Sequence, residues 1–401
     1  MKKALIITLS LTLVLGTVFA ASAKKAGVLE IWTDKVRYEI LKPITEDFED
    51  DYSVDVELSQ INYDDIRSQF NKAAPSQEGP DILIGAHDWT GELAQNGLLE
   101  PIIMSEDLKE KFTEVSLDAF TYNDNIYGLP YSMEAIALIY NKELVEEPPE
   151  TWDELMEAAR ELTNPEEKKY GFVYPGTGDP YHTYPFISAH GGYIFKYEGG
   201  FNPDQLGLTT EGALKGLRIL DKMYEDGLIP QGIDYSTSQG LFTEGDAGMW
   251  MTGPWAISGV KEAGIDFGVM KLPPMDGNQP KPFVGVNGFY LSSYAEDMVL
   301  ANEFLTNYVA TEDVMTELYE EGNRPPVYKP VREKAKDDPT TAAFLESASV
   351  GTPMPNIPEM NATWGALTDK LQLISQQKQE PEAAMEAAEE IIKEAIGQGE
   401  Y

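Results

Sequence analysis

The sequence predicts an α/β protein made of two domains of comparable size, and three observations lead there. Short apolar runs at 28–32 (VLEIW), 54–58 (VDVEL) and 81–86 (DILIGA) alternate with stretches of helical spacing, as in a sheet with helices on its faces. A second set of strand-like runs follows at 245–251, 266–272 and 286–293. The chain has 401 residues, 42% of them hydrophobic, which is too much for one ordinary core.

Taken in order, the elements begin with a leader. Lys2 and Lys3 precede an apolar run, and Ala21-Ser22-Ala23 offers the small residues a signal peptidase reads. Residues 1–23 are therefore expected to be a cleaved export signal, with an uncleaved anchor as the alternative. No later stretch reaches the roughly 18 apolar residues of a spanning helix, so no stable membrane insertion is expected. Ile40, Leu41, Ile44 and Phe48 have helical spacing, with Pro43 predicting a late start or a kink. Thr151 with Glu154 three residues on forms a capping box that opens a helix over 151–163. A helix over 210–227 lines up Ala213, Leu217, Leu220 and Tyr224 and stops at Gly227. Further helices are expected from Ala295 to about Glu321 and from about Thr363 onward, and the Pro-rich stretches 146–150 and 323–330 read as turns or linkers.

Composition excludes several functions. With 68 acidic against 30 basic residues the formal charge is -38, which repels nucleic acid and anionic membrane surfaces. There is no cysteine, hence no disulfide, no thiolate metal site and no residue for an N-terminal lipid, and only His87, His182 and His190 are available as imidazoles. Phosphate-loop, dinucleotide, Gly-x-Ser-x-Gly and His-Glu-x-x-His patterns are all missing, so no cofactor and no metal are predicted. A glycoside hydrolase needs only two suitably spaced carboxyl groups and stays open as an alternative.

What stands out is a scatter of aromatic and polar residues at strand ends and loops: His87-Asp88-Trp89, Asp179-Pro180-Tyr181-His182-Thr183-Tyr184, Gly253-Pro254-Trp255 and Asn361-Ala362-Thr363-Trp364. A sugar presents apolar C–H faces and a rim of hydroxyls, so its site needs flat aromatic platforms and strong hydrogen-bond partners, and these clusters supply both.

Long segments then carry a resemblance: GPDILIGAHDWTGELAQNGLL, EAIALIYNKEL, DPYHTYPFISAHGGYIFKYEGG, GDAGMWMTGPWA, KPFVGV and MPNIPEMNATW. In these the chain resembles the maltose/maltodextrin-binding proteins, periplasmic receptors of ATP-driven (ABC) sugar importers. The resemblance implies two α/β lobes joined by hinge segments, residues 24–132 plus 283–334 in one and 133–282 plus 335–401 in the other. Hinges fall at Ser132-Met133, Pro282-Phe283 and near Lys336. It also implies a monomeric periplasmic protein without a lipid anchor that closes over maltose or a maltodextrin, or another sugar such as trehalose, and hands it to membrane permease subunits.

Carried over motif by motif, the implied sugar ligands are Asp34 and Lys35 after the first strand and Glu57 at the end of the second. Ala86, Asp88 and Trp89 follow the third, and Glu134 opens EAIALIYNK. Asp179-Pro180-Tyr181 stands where the family has Glu-Pro-Tyr, and Tyr235, Trp255, Met354 and Trp364 complete the set. His87 is either a ligand or a brace behind the loop, and Asp88 either a hydroxyl ligand or a helix cap. The chain departs from the family at Gly85, commonly Trp, at Trp89, commonly Arg, and at Gly365 and Thr368, where Tyr and Arg are usual. One platform is thereby lost, another gained at Trp89, and a guanidinium removed.

Overall fold

The computed structural model describes residues 27–399, and the leader expected over 1–23 lies outside them. Two sheets organise the rest. The first runs Thr352–Pro353, Phe283–Ser292, Ile82–Ala86, Val28–Thr33, Asp55–Gln60, with Gly128–Glu134 and Leu99–Glu100 also paired to Phe283–Ser292. The second runs Phe267–Met270, Ala137–Asn141, Ala247–Thr252, Tyr170–Val173.

In the first sheet Val28–Thr33 pairs in parallel with both Asp55–Gln60 and Ile82–Ala86. Phe283–Ser292 is antiparallel to Ile82–Ala86 on one side and to Gly128–Glu134 on the other. Thr33, Gln60, Ala86 and Glu134 therefore end at one edge of the sheet, where Phe283 begins. Only Ala135 and Ile136 separate Glu134 from Ala137, which starts the second sheet. That passage sits just beyond the expected hinge at Ser132-Met133, because Met133 and Glu134 still pair with Val286 and Gly285. At the facing edge of the second sheet, Thr252 leads into Gly253-Pro254-Trp255 and Val173 leads toward Asp179-Pro180-Tyr181.

Local chemistry sets the helices. Lys35–Tyr52 starts eight residues before Pro43, since the Asp34 carboxylate accepts from the backbone N–H groups of Val36 and Arg37 and fixes the N-terminus there. Thr151 caps Trp152–Leu162 as expected, and Glu211–Glu225 is followed by Gly227 at φ +69°. The largely helical stretch expected over 295–321 consists of Met298–Glu303, a π-helical turn Phe304–Val309, and Glu312–Gly322, where Thr311 turns extended and caps a fresh start. The C-terminal helical region likewise splits into Asn361–Ser375 and Pro381–Gln398, the second opening on a proline.

One apolar core gathers around the first sheet, with Phe48, Ile84, Phe289 and Phe304 inside it. Another joins the second half, where Trp152, Phe172 and Phe186 meet Leu371 and Met385 of the last two helices. The segment 339–360 ties the two together. Ser347 Oγ donates to Ile136 O, Thr352–Pro353 extends the first sheet, and Asn356 Nδ2 donates to Ala119 O and Thr121 O at 3.0 Å each. Among the described residues no helix is long and apolar enough to cross a membrane, and no group of three or more His, Asp or Glu is placed to hold a metal ion.

Candidate functional site: an aromatic and carboxylate cleft

The facing sheet edges bring the aromatic and acidic residues together. Tyr181, in the first turn of Pro180–Ala189, packs at 6.1 Å from Trp255 and 6.1 Å from Phe283, and its hydroxyl points to Phe283 O at 3.5 Å. Trp255 also meets His182 edge-on at 5.8 Å, and its ring covers Gly253, where a Cβ would come within 2.1 Å of the indole. Trp364 stands 6.4 Å from Phe283 and donates its indole N–H to Asp88 Oδ2 at 3.1 Å. Tyr235 packs on Trp250 at 5.6 Å, within reach of the Arg324 charge, and burial lifts its hydroxyl to about 12.

Each carboxylate in the cluster already has a partner. Asp34 is ion-paired to Arg37; burial works to raise its pKa, but Arg37, helped by Arg324, holds it below the ordinary value. Glu134 accepts from Arg324 Nε at 3.1 Å. Asp179 caps its helix and pairs with His182 Nδ1 at 2.8 Å; against burial, that ring lowers its pKa. Asp88 is the exception: burial dominates, and its carboxyl is pushed up to about 6 despite Arg67 and the Trp364 donor. These carboxylates are oriented acceptors, the form a sugar rim needs.

His87 is a brace. Its Nδ1 accepts from Val286 N at 3.0 Å and its Nε2 donates to Met354 O at 2.9 Å, which uses both ring nitrogens and places the buried Met354 by its backbone. Burial lowers the imidazole to about 4, so it is neutral at ordinary pH. The Asp88 carboxylate receives the Trp364 indole, and Ala86 O accepts from Tyr290 at 2.7 Å.

Four expected ligands sit differently. Trp89 is 6% exposed, stacked near Tyr290 and tilted on Tyr63 at 5.5 Å. It fills the space over Gly85, where a Cβ would lie 2.0 Å from its ring, so the exchange of residues at 85 and 89 is one packing event. Glu57 lies mid-strand in Asp55–Gln60, exposed on the edge, and does not end that strand. Lys35 is exposed on the first turn of its helix, while Pro180 is buried at the start of its own.

The sequence reading missed four residues. Tyr63, just past the second strand, feels the charges of Arg37, Glu134, Asp88 and Asp34, and it acts on Tyr181 from across the cleft. Asp64 beside it is raised by burial and then by Asp179. Arg37 and Arg324 are both buried. An aromatic directly after a strand end was the available signal for Tyr63; Arg37 was visible only as the residue three beyond a helix cap, and Arg324 was hidden in a stretch read as a linker.

Two α/β lobes meeting edge to edge over aromatic rings and paired carboxylates define a two-lobed protein with its ligand cleft between the sheets. A model of the bacterial extracellular solute-binding protein family matches residues 43–343, and the chain belongs to that family. It is similar to a galactooligosaccharide-binding protein of Bacillus subtilis, 31% identical over 392 residues, covering 94% of this chain and 91% of the relative. It is also similar to a maltotriose-binding protein of Pyrococcus abyssi, 35% identical over 321 residues, 78% of this chain and 69% of the relative. A maltodextrin-binding protein of Bacillus subtilis is 28% identical over 388 residues, 94% of this chain and 92% of the relative. The family and these relatives are binding proteins by name.

Proposed function

We propose that the protein is the extracytoplasmic receptor of an ATP-driven importer and captures a neutral oligosaccharide of the malto-oligosaccharide type between its lobes. The observation that carries this reading is Tyr63 and Tyr181, one from each lobe, within electrostatic reach of each other and flanked by Asp88 and Glu134. A sugar ring placed there touches both lobes, and its preference for the closed form drives closure. Maltotriose and maltodextrin in the relatives' names support the class, and the galactooligosaccharide relative widens it.

In this reading residues 24–132 plus 283–334 form one lobe and 133–282 plus 335–401 the other, with passages between them after Glu134, at Pro282-Phe283 and near Lys336. Met133-Glu134 and the segment 352–356 are the exceptions, since both are fastened to the first sheet or its loops. The mature protein is exported after removal of the leader, acts as a monomer without a lipid anchor, and presents its closed form to permease subunits. It binds and does not cleave: the carboxylates are held as hydrogen-bond acceptors.

The test is calorimetric titration of ligand-stripped protein with maltose, maltotriose, maltotetraose, trehalose and a galacto-oligosaccharide, with the recovered sugar analysed for cleavage and the radius of gyration followed by solution scattering. Saturable binding of intact sugar with a smaller radius is expected. Cleaved sugar, or no binding to any of the five, overturns the proposal.

A further inference from the structure

The floor of the cleft holds a second polar cluster that none of the carried-over ligands accounts for. Arg37 is anchored on three sides. Its Nε donates to Tyr131 Oη at 2.7 Å, its Nη1 pairs with Asp34, and its Nη2 donates to Asn287 Oδ1 at 2.6 Å. The Tyr63 ring lies over its Cζ at 5.1 Å. Because Arg37 can only donate, the amide of Asn287 must turn its oxygen to the guanidinium, which leaves Nδ2 as the free end.

That Nδ2 is buried and has no partner, and the same holds for the hydroxyls of Ser132 and Thr33. Asn287 and Ser132 are direct cross-strand neighbours, while Thr33 lies on the far side of Ile82–Ala86 and is not part of the cluster. Asn287 is paired between Ala86 and Ser132, and Thr33 ends the strand next to Ile82–Ala86. The side of the Phe283–Ser292 strand that carries Asn287 carries Gly285 two residues earlier, and a Cβ there would meet Glu134 at 3.3 Å and the Tyr181 hydroxyl at 3.5 Å. The cluster thus continues directly from the cleft.

Unpartnered buried donors are costly and rare in a native protein, so two side by side call for a missing partner. The small cavity on the core side of Arg37 does not reach these groups, since neither Asn287 nor Ser132 lines it. The partner must accept from an amide and exchange hydrogen bonds with a hydroxyl. It must also be neutral, because Asp34 already balances Arg37 and Glu134 balances Arg324. Adjacent hydroxyls on the edge of a hexose ring fit all of this.

We propose that Arg37, Asn287 and Ser132 are specificity-determining residues, and that they receive two adjacent hydroxyls of one neutral sugar ring at the cleft floor. The inference rests on the sugar-receptor reading above. It assigns the fixed end of the ligand to the first lobe, with Asn287 and Ser132 holding a ring edge while Tyr63 and Tyr181 cover its faces.

Two variants test it in the full mature protein, with melting temperature measured without sugar and affinity measured with maltotriose. Ser132→Ala removes a hydroxyl with no partner, so the empty protein should melt at or above the wild-type temperature. Affinity should nevertheless fall about tenfold, the worth of one hydrogen bond near a charged group. Asn287→Asp keeps the oxygen that Arg37 needs, replaces the donor with an acceptor and adds a negative charge, so a loss at least as large is expected. A series of monodeoxy maltotrioses should contain one member for which Ser132→Ala costs nothing further. Wild-type affinity in Ser132→Ala, or equal losses against every deoxy sugar, overturns the inference and leaves the receptor reading intact. If the unmodified protein binds none of the sugars, both fall. Should Asn287→Asp fail to fold, the Ser132→Ala series decides.

Discussion

Acidity should tighten the empty fold and loosen its grip on sugar at the same time, and Asp88 is the reason. Burial raises its carboxyl to about 6, while the Trp364 indole N–H at 3.1 Å favours the ionised form. In the unfolded chain the same group titrates near 4, so between about pH 4 and about pH 6 the folded state holds the extra proton. Stability contributed by this group is therefore full below that window and falls as pH rises through it, by about 3 kcal/mol in all for a shift of roughly two units. Sugar capture runs the other way, because a hydroxyl donor wants the carboxylate. If only the ionised form binds, about one molecule in eleven is competent at about pH 5 and about ten in eleven at about pH 7, a tenfold gain in affinity. His87, lowered to about 4, stays neutral over this range, and Asp34 and Asp179, both lowered, stay charged. Calorimetry from about pH 5 to about pH 7 in two buffers of different ionisation enthalpy would give both the affinity slope and the proton released on binding. Asp88→Asn should erase that slope and melt higher than wild type at neutral pH. A flat wild-type profile, or the same slope in Asp88→Asn, would refute the reasoning.

Other perturbations have equally definite outcomes. Gly85→Ala drives a Cβ to within 2.0 Å of the Trp89 ring and should cost about 1–3 kcal/mol in denaturant unfolding, a loss absent when Trp89→Ala is already in place. Trp255→Ala removes the ring packed on Tyr181 and His182 and should weaken sugar binding by tens of fold, on the order of 2 kcal/mol or more; an unchanged dissociation constant removes Trp255 from the site. Asn323 links Glu312–Gly322 to Ile257–Glu262, accepting from Lys261 Nζ at 2.6 Å and donating to Ser258 Oγ at 2.9 Å. Asn323→Gly keeps its left-handed backbone and loses both bonds, so closure followed by interlobe fluorescence transfer should weaken by up to about tenfold.

How much of this could be read beforehand depended on whether a residue's role is local. Thr151 with Glu154 and the Gly227 stop were legible because a cap and a left-handed turn need only their neighbours. Asp34 as an N-cap was equally local, yet it was overlooked in favour of Pro43, the louder signal. The break at Thr311 was invisible, since an uninterrupted helical pattern says nothing about where packing makes the chain restart. Asp88, Tyr181, Trp255 and Trp364 could be named because they sit in segments shared with a known family, and the fold brings them near one another. Trp89 was read as a platform because its compensation with Gly85 exists only in space. Glu57 was taken as a strand end because the strand runs on to Gln60, two residues beyond the last apolar position at Leu58. Arg324 pairs with Glu134, and Arg37, besides its near neighbour Asp34, reaches Tyr131 and Asn287 far along the chain; spacing cannot show those distant bonds.

The position of Phe283–Ser292 between Ile82–Ala86 and Gly128–Glu134 bears on how the molecule comes into being. The first sheet lacks its middle strand until the chain has been made past Ser292, so the earlier strands have no way to complete their core during synthesis. Non-local pairing of this kind makes folding slow, because loop closure must precede any return in buried surface. For a member of an extracellular solute-binding family this delay is useful, because a polypeptide that folds late is easier to thread through a narrow channel.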